Sequence, residues 1–233
     1  MMDTTNKTIG QIVADDFRTA EIFKNAGIDF CCGGKKSVAQ ACSEKNVSEE
    51  KLIQEINELQ KSGGISTHNF NEWDVDFLID YIVNTHHKSG RKLLAQLDGY
   101  TKKIADVHGH NHPELFEIAA LFDELADDLL PHFEKEEQVL FPAIKEALKS
   151  DSPQLKMLIQ NAINGMLHEH DGAGELLERI NMLSNGYTIP KDACNTYLVT
   201  FKMLEELEND LHTHIHLENN ILFPKALEMA KAE

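Results

Sequence analysis

Apolar residues recur every three to four positions through most of this chain, the period of a helix face, and no segment alternates as a half-buried strand does. Four long helices follow from the pattern. The first begins near Trp73 and passes Leu78, Ile82, Leu94 and Leu97, with His86 and His87 both able to join its stripe. The segment Val107-His-Gly-His-Asn-His-Pro113 reads as a loop. The second helix spans roughly Pro113 to Leu148, with Ile118, Leu125, Leu129, His132, Glu136 and Val139 on one face. The third opens at Ser152-Pro153, a favourable first turn. It carries Leu155, Ile159, Met166, His170, Leu177 and Ile180 to a stop at Asn185-Gly186. The fourth follows Pro190, and its Leu204, Leu207, Leu211, His214, Glu218 and Ile221 keep 3-4-3-4-3 spacing. The expected fold is all-α: an up-down-up-down four-helix bundle over residues 75–233.

A smaller helical domain is expected ahead of it, over residues 1–62. One short helix starts at Thr8 or Gly10 and runs through Ile12, Val13, Phe17, Ala20 and Ile22, stopping at Asn25-Ala-Gly27. Ser37 caps a second and Ser48 opens a third. Between them lies the Gly-terminated turn Ile28-Asp-Phe-Cys-Cys-Gly-Gly34. Residues 63–74, following Lys61-Ser-Gly-Gly64, read as a linker.

The polar interruptions of the apolar stripes carry the chemistry. His132-x3-Glu136-x3-Leu140-Phe141-Pro142 returns as His214-x3-Glu218-x3-Leu222-Phe223-Pro224. A histidine and a glutamate four apart share a helix face, about 6 Å apart along the axis. Imidazole nitrogen with carboxylate oxygen suits a transition metal. Each copy has an upstream histidine on the preceding helix: 45 residues separate His87 from His132, and 44 separate His170 from His214. That interval favours His87 over His86. The alternative is a buried network in which the glutamates satisfy the histidines. A buried unpartnered glutamate costs several kcal/mol or protonates, so two at equivalent places imply cations.

Four imidazoles and two carboxylates are too many for one tetrahedral zinc. If both carboxylates bridge two metals, each metal gains two histidines and two oxygens. A solvent-derived oxo or hydroxo bridge then leaves about one open position on each. Such a shell suits iron, less often manganese, and a small molecule such as dioxygen, nitric oxide or peroxide. Pro142 and Pro224 each free the carbonyl four residues back, Gln138 and Asn220, and bend their helices. Pro131 either bends the second helix or re-aims His132. Glu169 and Asp128 are candidates to orient ligands or relay protons. His212 and His216 fall on the side of the fourth helix away from its stripe, facing solvent or supporting the ligands. His108, His110 and His112 are read as exposed loop residues.

Net charge changes the list of partners. With 39 acidic against 22 basic residues the chain carries −17, which repels phosphate backbones and anionic membranes. Nucleic acid and membrane are excluded as partners. No signal-peptide pattern or spanning apolar run is present, so a cytoplasmic location is expected. The cysteines show no zinc-site or disulfide spacing. Cys42 and Cys194 are read as core. Cys31 and Cys32, adjacent and glycine-flanked, are candidates for redox or metal transfer, since adjacent cysteines strain any disulfide between them.

The repeated His-x3-Glu, with one histidine on each other helix, resembles the hemerythrin-like di-iron proteins. Asp29-Phe-Cys-Cys-Gly-Gly-Lys35 resembles the N-terminal domain of the ScdA/YtfE type. Glu169-His-Asp-x-Ala-Gly-Glu-Leu-Leu177 and Leu217-Glu-Asn-Asn-x-Leu-Phe-Pro224 are also similar to that family, the iron-sulfur cluster repair di-iron proteins, or repair of iron centres. The resemblance implies His87, His132, Glu136, His170, His214 and Glu218 as ligands of two iron ions, with bridging glutamates. Oxygen-carrying hemerythrins place two histidines four apart on the third helix, whereas Gly174 stands four after His170 here. That departure argues against reversible oxygen storage. The implied function is repair of iron-sulfur clusters damaged by oxidative or nitrosative stress, with iron donation and nitric oxide chemistry at the di-iron site both left open as its means and damaged iron-sulfur proteins as partners. Alternatives are a nitric oxide or peroxide reductase at the same site, and a gas sensor or iron store.

Overall fold

The computed structural model describes residues 7–61 and 69–231. Among these, every regular element is helical, and one isolated antiparallel bridge joins Thr8 to Ser37. The chain divides into two compact units, Met1–Ile79 with Thr213–Glu233, and Asp80–His212.

In the first unit, α1 is Ile9–Asp15, α2 Thr19–Asn25, α3 Val38–Lys45 and α4 Glu49–Lys61, with a 3-10 turn at Cys32–Lys35. Thr8 starts α1 with a reciprocal cap: its hydroxyl accepts from Gln11 N, and the Gln11 side chain accepts from Thr8 N. Ser37 caps α3 through one bond only, its hydroxyl accepting from Gln40 N. The single helix expected from Thr8 to Ile22 is broken. The Asp16 carboxylate accepts from the Arg18 backbone N–H at 3.2 Å and from its guanidinium at 2.9 and 2.6 Å. These local bonds compete with the helical ladder. The stop at Gly27 holds because its φ is +66°, a conformation glycine adopts freely.

The core of this unit gathers Ile9, Ile12, Phe23, Val38, Leu52 and Ile56, and includes Ile215 from the far end of the sequence. Residues 63–68 of the expected linker lie outside the described residues. Its later part is ordered: Phe70–Glu72 forms a 3-10 turn. Phe70 is buried, its ring edge-on to Phe17 and Trp73. Helix α5, Val75–Tyr81, follows.

In the second unit, a π-helical turn at Ile82–His87 leads into α6, Lys88–His108. Helix α7, Glu114–Lys135, continues through Pro131 into a π turn at Glu136–Leu140 and α8, Phe141–Ala147. Helix α9 spans Pro153–Leu183, with Ser152 as its cap and Pro153 in its first turn. Helix α10, Asn195–Leu217, begins in this unit; from Thr213 onward the chain, with a third π turn at Glu218–Leu222 and α11 at Phe223–Lys231, belongs to the first unit. The long helices make the expected four-helix bundle, its core including Leu97, Leu125, Phe133, Leu177, Phe201 and Leu204. No helix among the described residues is long and apolar enough to cross a membrane.

The proline effect takes a specific form. Phe141 N–H donates to Glu136 O, and Phe223 N–H to Glu218 O, five residues back. A proline cannot donate to the carbonyl four residues back, and in both copies the ladder widens just before it. Widening adds one residue to the turn and slips the phase of the apolar stripe. Val139, expected inside, is therefore 48% exposed, and Leu140 is buried in its place.

Candidate metal centre

In the second unit four candidate ligands are almost fully buried: His87, His132, Glu136 and His170 are each at most 2% exposed. His87 ends the first π turn and Glu136 begins the second; single π turns concentrate at functional sites. His87 Nε2 lies 3.3 Å from Glu136 Oε2, and His132 Nε2 lies 3.4 Å from the same oxygen. His132 Nε2 and His170 Nε2 are 3.1 Å apart. His132, Glu136 and His170 each present a ligand atom within 4.8 Å of the others.

The opposite ring nitrogens determine what Nε2 offers. His87 Nδ1 donates to Glu137 Oε1 at 2.7 Å, and Arg91 Nη1 donates to that same oxygen at 2.7 Å. His132 Nδ1 donates to Glu169 Oε2 at 2.8 Å, and Lys135 Nζ donates to Glu169 Oε1 at 2.6 Å. Burial works against ionising both carboxylates. Arg91 and His87 nevertheless hold Glu137 below the usual carboxylate range, and Lys135 and His132 do the same for Glu169. An ionised carboxylate only accepts, so each Nδ1 carries the proton. In the neutral rings both Nε2 atoms are unprotonated; each lies beside Glu136 Oε2, and His132 Nε2 also meets His170 Nε2. An unprotonated ring nitrogen and a buried carboxylate oxygen 3.3 or 3.4 Å apart repel, and a cation between them relieves that repulsion. Ligand bonds of about 2.1 Å at near right angles give polyhedron edges of roughly 3 Å. The donor set and its spacing therefore fit a metal.

The first unit holds the second copy of the pair. His214 Nε2 lies 3.0 Å from Glu218 Oε1, both residues buried and Glu218 opening its own π turn.

Neighbouring candidates separate clearly. His86 Nδ1 bonds Asp210 Oδ1 at 2.8 Å, and its ring is edge-on to Tyr81, so of the adjacent pair it is His87 that faces Glu136. Asp128 is exposed and bonds none of these histidines, in contrast to Glu169. Glu137 was missed by sequence reasoning; the available signal was a second glutamate adjoining a ligand.

Three other expectations are corrected. His216, read as facing solvent or supporting the ligands, is fully buried beside the rings of Phe17 and Phe30. Burial pushes its imidazole down to about 4. Cys194, read as core, is exposed immediately before α10. The Tyr197 backbone N–H and His108, whose Nε2 lies 3.1 Å from Sγ, draw its thiol down to about 7. His112 is half-buried rather than exposed and bonds Asp192 and Glu114.

The Cys31-Cys32 turn is organised by Asp29. Its Oδ1 accepts from Cys31 N at 2.8 Å and Cys32 N at 3.1 Å, and its Oδ2 from Gly33 N at 2.7 Å. Neither cysteine is in a disulfide, and their Sγ atoms are 4.0 Å apart. Asp29, Cys31 and Cys32 also present three ligand atoms within 4.8 Å. Cys31 is buried and donates its thiol to Asp29 Oδ1 at 3.0 Å. Adjacent Cys32, then burial, then Asp29 push that thiol well above its usual range.

Residues 78–226 match the hemerythrin HHE cation binding domain family, and residues 5–60 match the ScdA N-terminal family, described as a domain of unknown function. Among similar curated proteins is the iron-sulfur cluster repair protein ScdA of Staphylococcus epidermidis, 35% identical over 96% of this chain and 99% of the relative. ScdA of Staphylococcus haemolyticus is 36% identical over the same shares. The iron-sulfur cluster repair protein YtfE of Yersinia pestis is 32% identical over 97% of this chain and 99% of its own length.

Proposed function

The chain belongs to the hemerythrin HHE cation binding family, and on that premise we propose that it repairs damaged iron-sulfur clusters with a two-iron centre. The ligands are His87, His132, Glu136, His170, His214 and Glu218. One observation carries the reading: the Nε2 atoms of His87 and His132, whose Nδ1 atoms bond Glu137 and Glu169, both lie within 3.4 Å of one buried carboxylate oxygen. The second copy of the pair, the matching π turns and the near-equal histidine intervals support extending the site to His214 and Glu218.

Bound iron would supply either an open position for dioxygen, nitric oxide or peroxide, or the iron atom itself as cargo. The chain's own part is more specific. Glu137 and Glu169 hold the Nδ1 protons, so His87 and His132 present neutral Nε2 donors. Arg91 and Lys135 keep those carboxylates ionised and in place. Burial of all four ligands in the second unit excludes water from the donor atoms.

The same proposal assigns residues 1–62 to an ScdA-like domain, 63–74 to a linker and 75–233 to the di-iron bundle. Cys31 and Cys32 are its redox or metal-transfer groups, damaged iron-sulfur proteins its partners and the cytoplasm its location. Metal analysis and Mössbauer spectroscopy on anaerobically purified protein test the centre. About two coupled irons per chain are expected, from the count of six ligands, with iron lost in His132→Ala and His214→Ala. Iron-free protein, or iron affinity unchanged in both variants, overturns it. Catalytic consumption of nitric oxide or peroxide by the reduced protein, without restoration of a damaged cluster, would replace repair by an enzymatic function.

A further inference from the structure

The two copies of the repeat differ where they should be equivalent. Two and six residues after its histidine, the first copy carries Glu134 and Gln138, both exposed. The second carries His216, fully buried, and Asn220, half-buried. Both copies run from α-helix into a π turn opened by the glutamate. Backbone geometry therefore does not explain the difference; what covers the second copy does.

The covering segment is the cysteine turn, which belongs to the same compact unit. Asn220 Nδ2 donates toward Cys31 O at 3.1 Å and lies 3.4 Å from Phe30 O. It also lies 3.2 Å from His216 Nδ1. The His216 ring packs 5.6 Å from Phe30 and 6.0 Å from Phe17. Two glycines admit the amide. A Cβ on Gly10 would sit 2.1 Å from Asn220 Oδ1, and one on Gly34 2.5 Å from it. Neither glycine has a positive φ, so close approach, not backbone conformation, is what excludes a side chain. Amide, imidazole, two carbonyls and two glycines form a fitted contact, and Cys31, whose carbonyl it holds, is 3% exposed.

We propose that His216 and Asn220 are a seat for the Cys31-Cys32 turn, and that Cys31 is a gated thiol. While the turn is seated, Cys31 is shielded and hydrogen-bonded to Asp29. When Asn220 releases the Phe30 and Cys31 carbonyls, Sγ reaches solvent and becomes available for ligation or exchange. The gate stands on contacts of the turn and does not rest on the function proposed for the metal centre.

The test is the alkylation rate of each cysteine by iodoacetamide, read by peptide mass spectrometry on the full-length protein at fixed iron content. The thiolate sulfur bonds to carbon, iodide leaves and the thiol proton passes to solvent. In the wild type Cys31 reacts far more slowly than exposed Cys194. Asn220→Ala accelerates Cys31 about tenfold, the effect of losing one or two neutral hydrogen bonds. Gly34→Ala, which forces the amide out, does the same. Gln138→Ala, the equivalent change in the first copy, leaves Cys31 unchanged. Cys42, buried in the core of the same unit, distinguishes release from unfolding. The proposal is overturned if Cys31 keeps its wild-type rate in both seat variants. It is also overturned if Cys42 accelerates in step with Cys31, or if wild-type Cys31 already reacts as fast as Cys194.

Discussion

Replacing Gly10 by alanine sets two physical effects of opposite sign against each other. Gly10 lies in the first turn of α1 without a positive φ. Helix propensity alone predicts that alanine stabilises by up to about 1 kcal/mol. The structure predicts the reverse. The new methyl would meet Asn220 Oδ1 at 2.1 Å, its Cγ at 2.5 Å and Gly34 O at 3.1 Å. A side-chain amide can move, but moving it gives up its bonds to the Cys31 and Phe30 carbonyls. Each such bond is worth roughly 0.5–1.5 kcal/mol, and overpacking costs about 1–3 kcal/mol. Net of propensity, Gly10→Ala should destabilise by about 1–2 kcal/mol. The assay is urea unfolding of metal-free protein, followed by fluorescence of Trp73, the sole tryptophan, which lies in the same unit between the rings of Phe70 and Phe77. The midpoint should fall with the slope unchanged. In an Asn220→Ala background the clash with the amide is gone and only the 3.1 Å approach to Gly34 O remains, so Gly10→Ala should become close to neutral, a coupling of about 1–2 kcal/mol. A stabilising Gly10→Ala in the wild-type background, or equal effects in both backgrounds, refutes the reasoning.

Two further outcomes follow from the second unit. Glu137→Gln and Glu169→Gln should each weaken iron(II) binding roughly 10–100-fold in a chelator competition, because the acceptors that fix the His87 and His132 tautomers become ambiguous amides; a change below about twofold would show that the Nδ1 bonds do not govern the ligands. Cys194, drawn down to about 7 chiefly by the Tyr197 N–H and then by His108, is thiolate above that pH, so its alkylation rate should fall as pH drops through it. His108→Ala should move the midpoint upward toward the ordinary thiol range, and an unmoved midpoint would leave the helix N–H groups as the sole cause.

The helices, their serine and threonine caps and their buried histidines are legible in the sequence because each depends on residues a turn or two away. Ser152 with Pro153, and Ser37 with Gln40, are local signals with local consequences. What escapes is set by segments distant in sequence. Glu137 lies about 100° around the helix from Glu136, which reads as a solvated position. Its partners His87 and Arg91 are 50 and 46 residues away. Val139 was misplaced because a period of 3.6 was carried across a π turn, although Pro142 already showed that the ladder fails there. His216 was placed at the correct angle on α10 and given the wrong environment. An outward face is solvated only if nothing else in the chain covers it, and here Phe17 and Phe30 do. The sequence did contain a clue to that cover. In a duplicated motif, positions that agree mark what both copies need, and positions that differ mark what only one copy touches. His, Glu, Leu, Phe and Pro agree across the two copies and serve the donor atoms and the widened turn. Glu134 against His216 and Gln138 against Asn220 differ, and both differences fall under the cysteine turn.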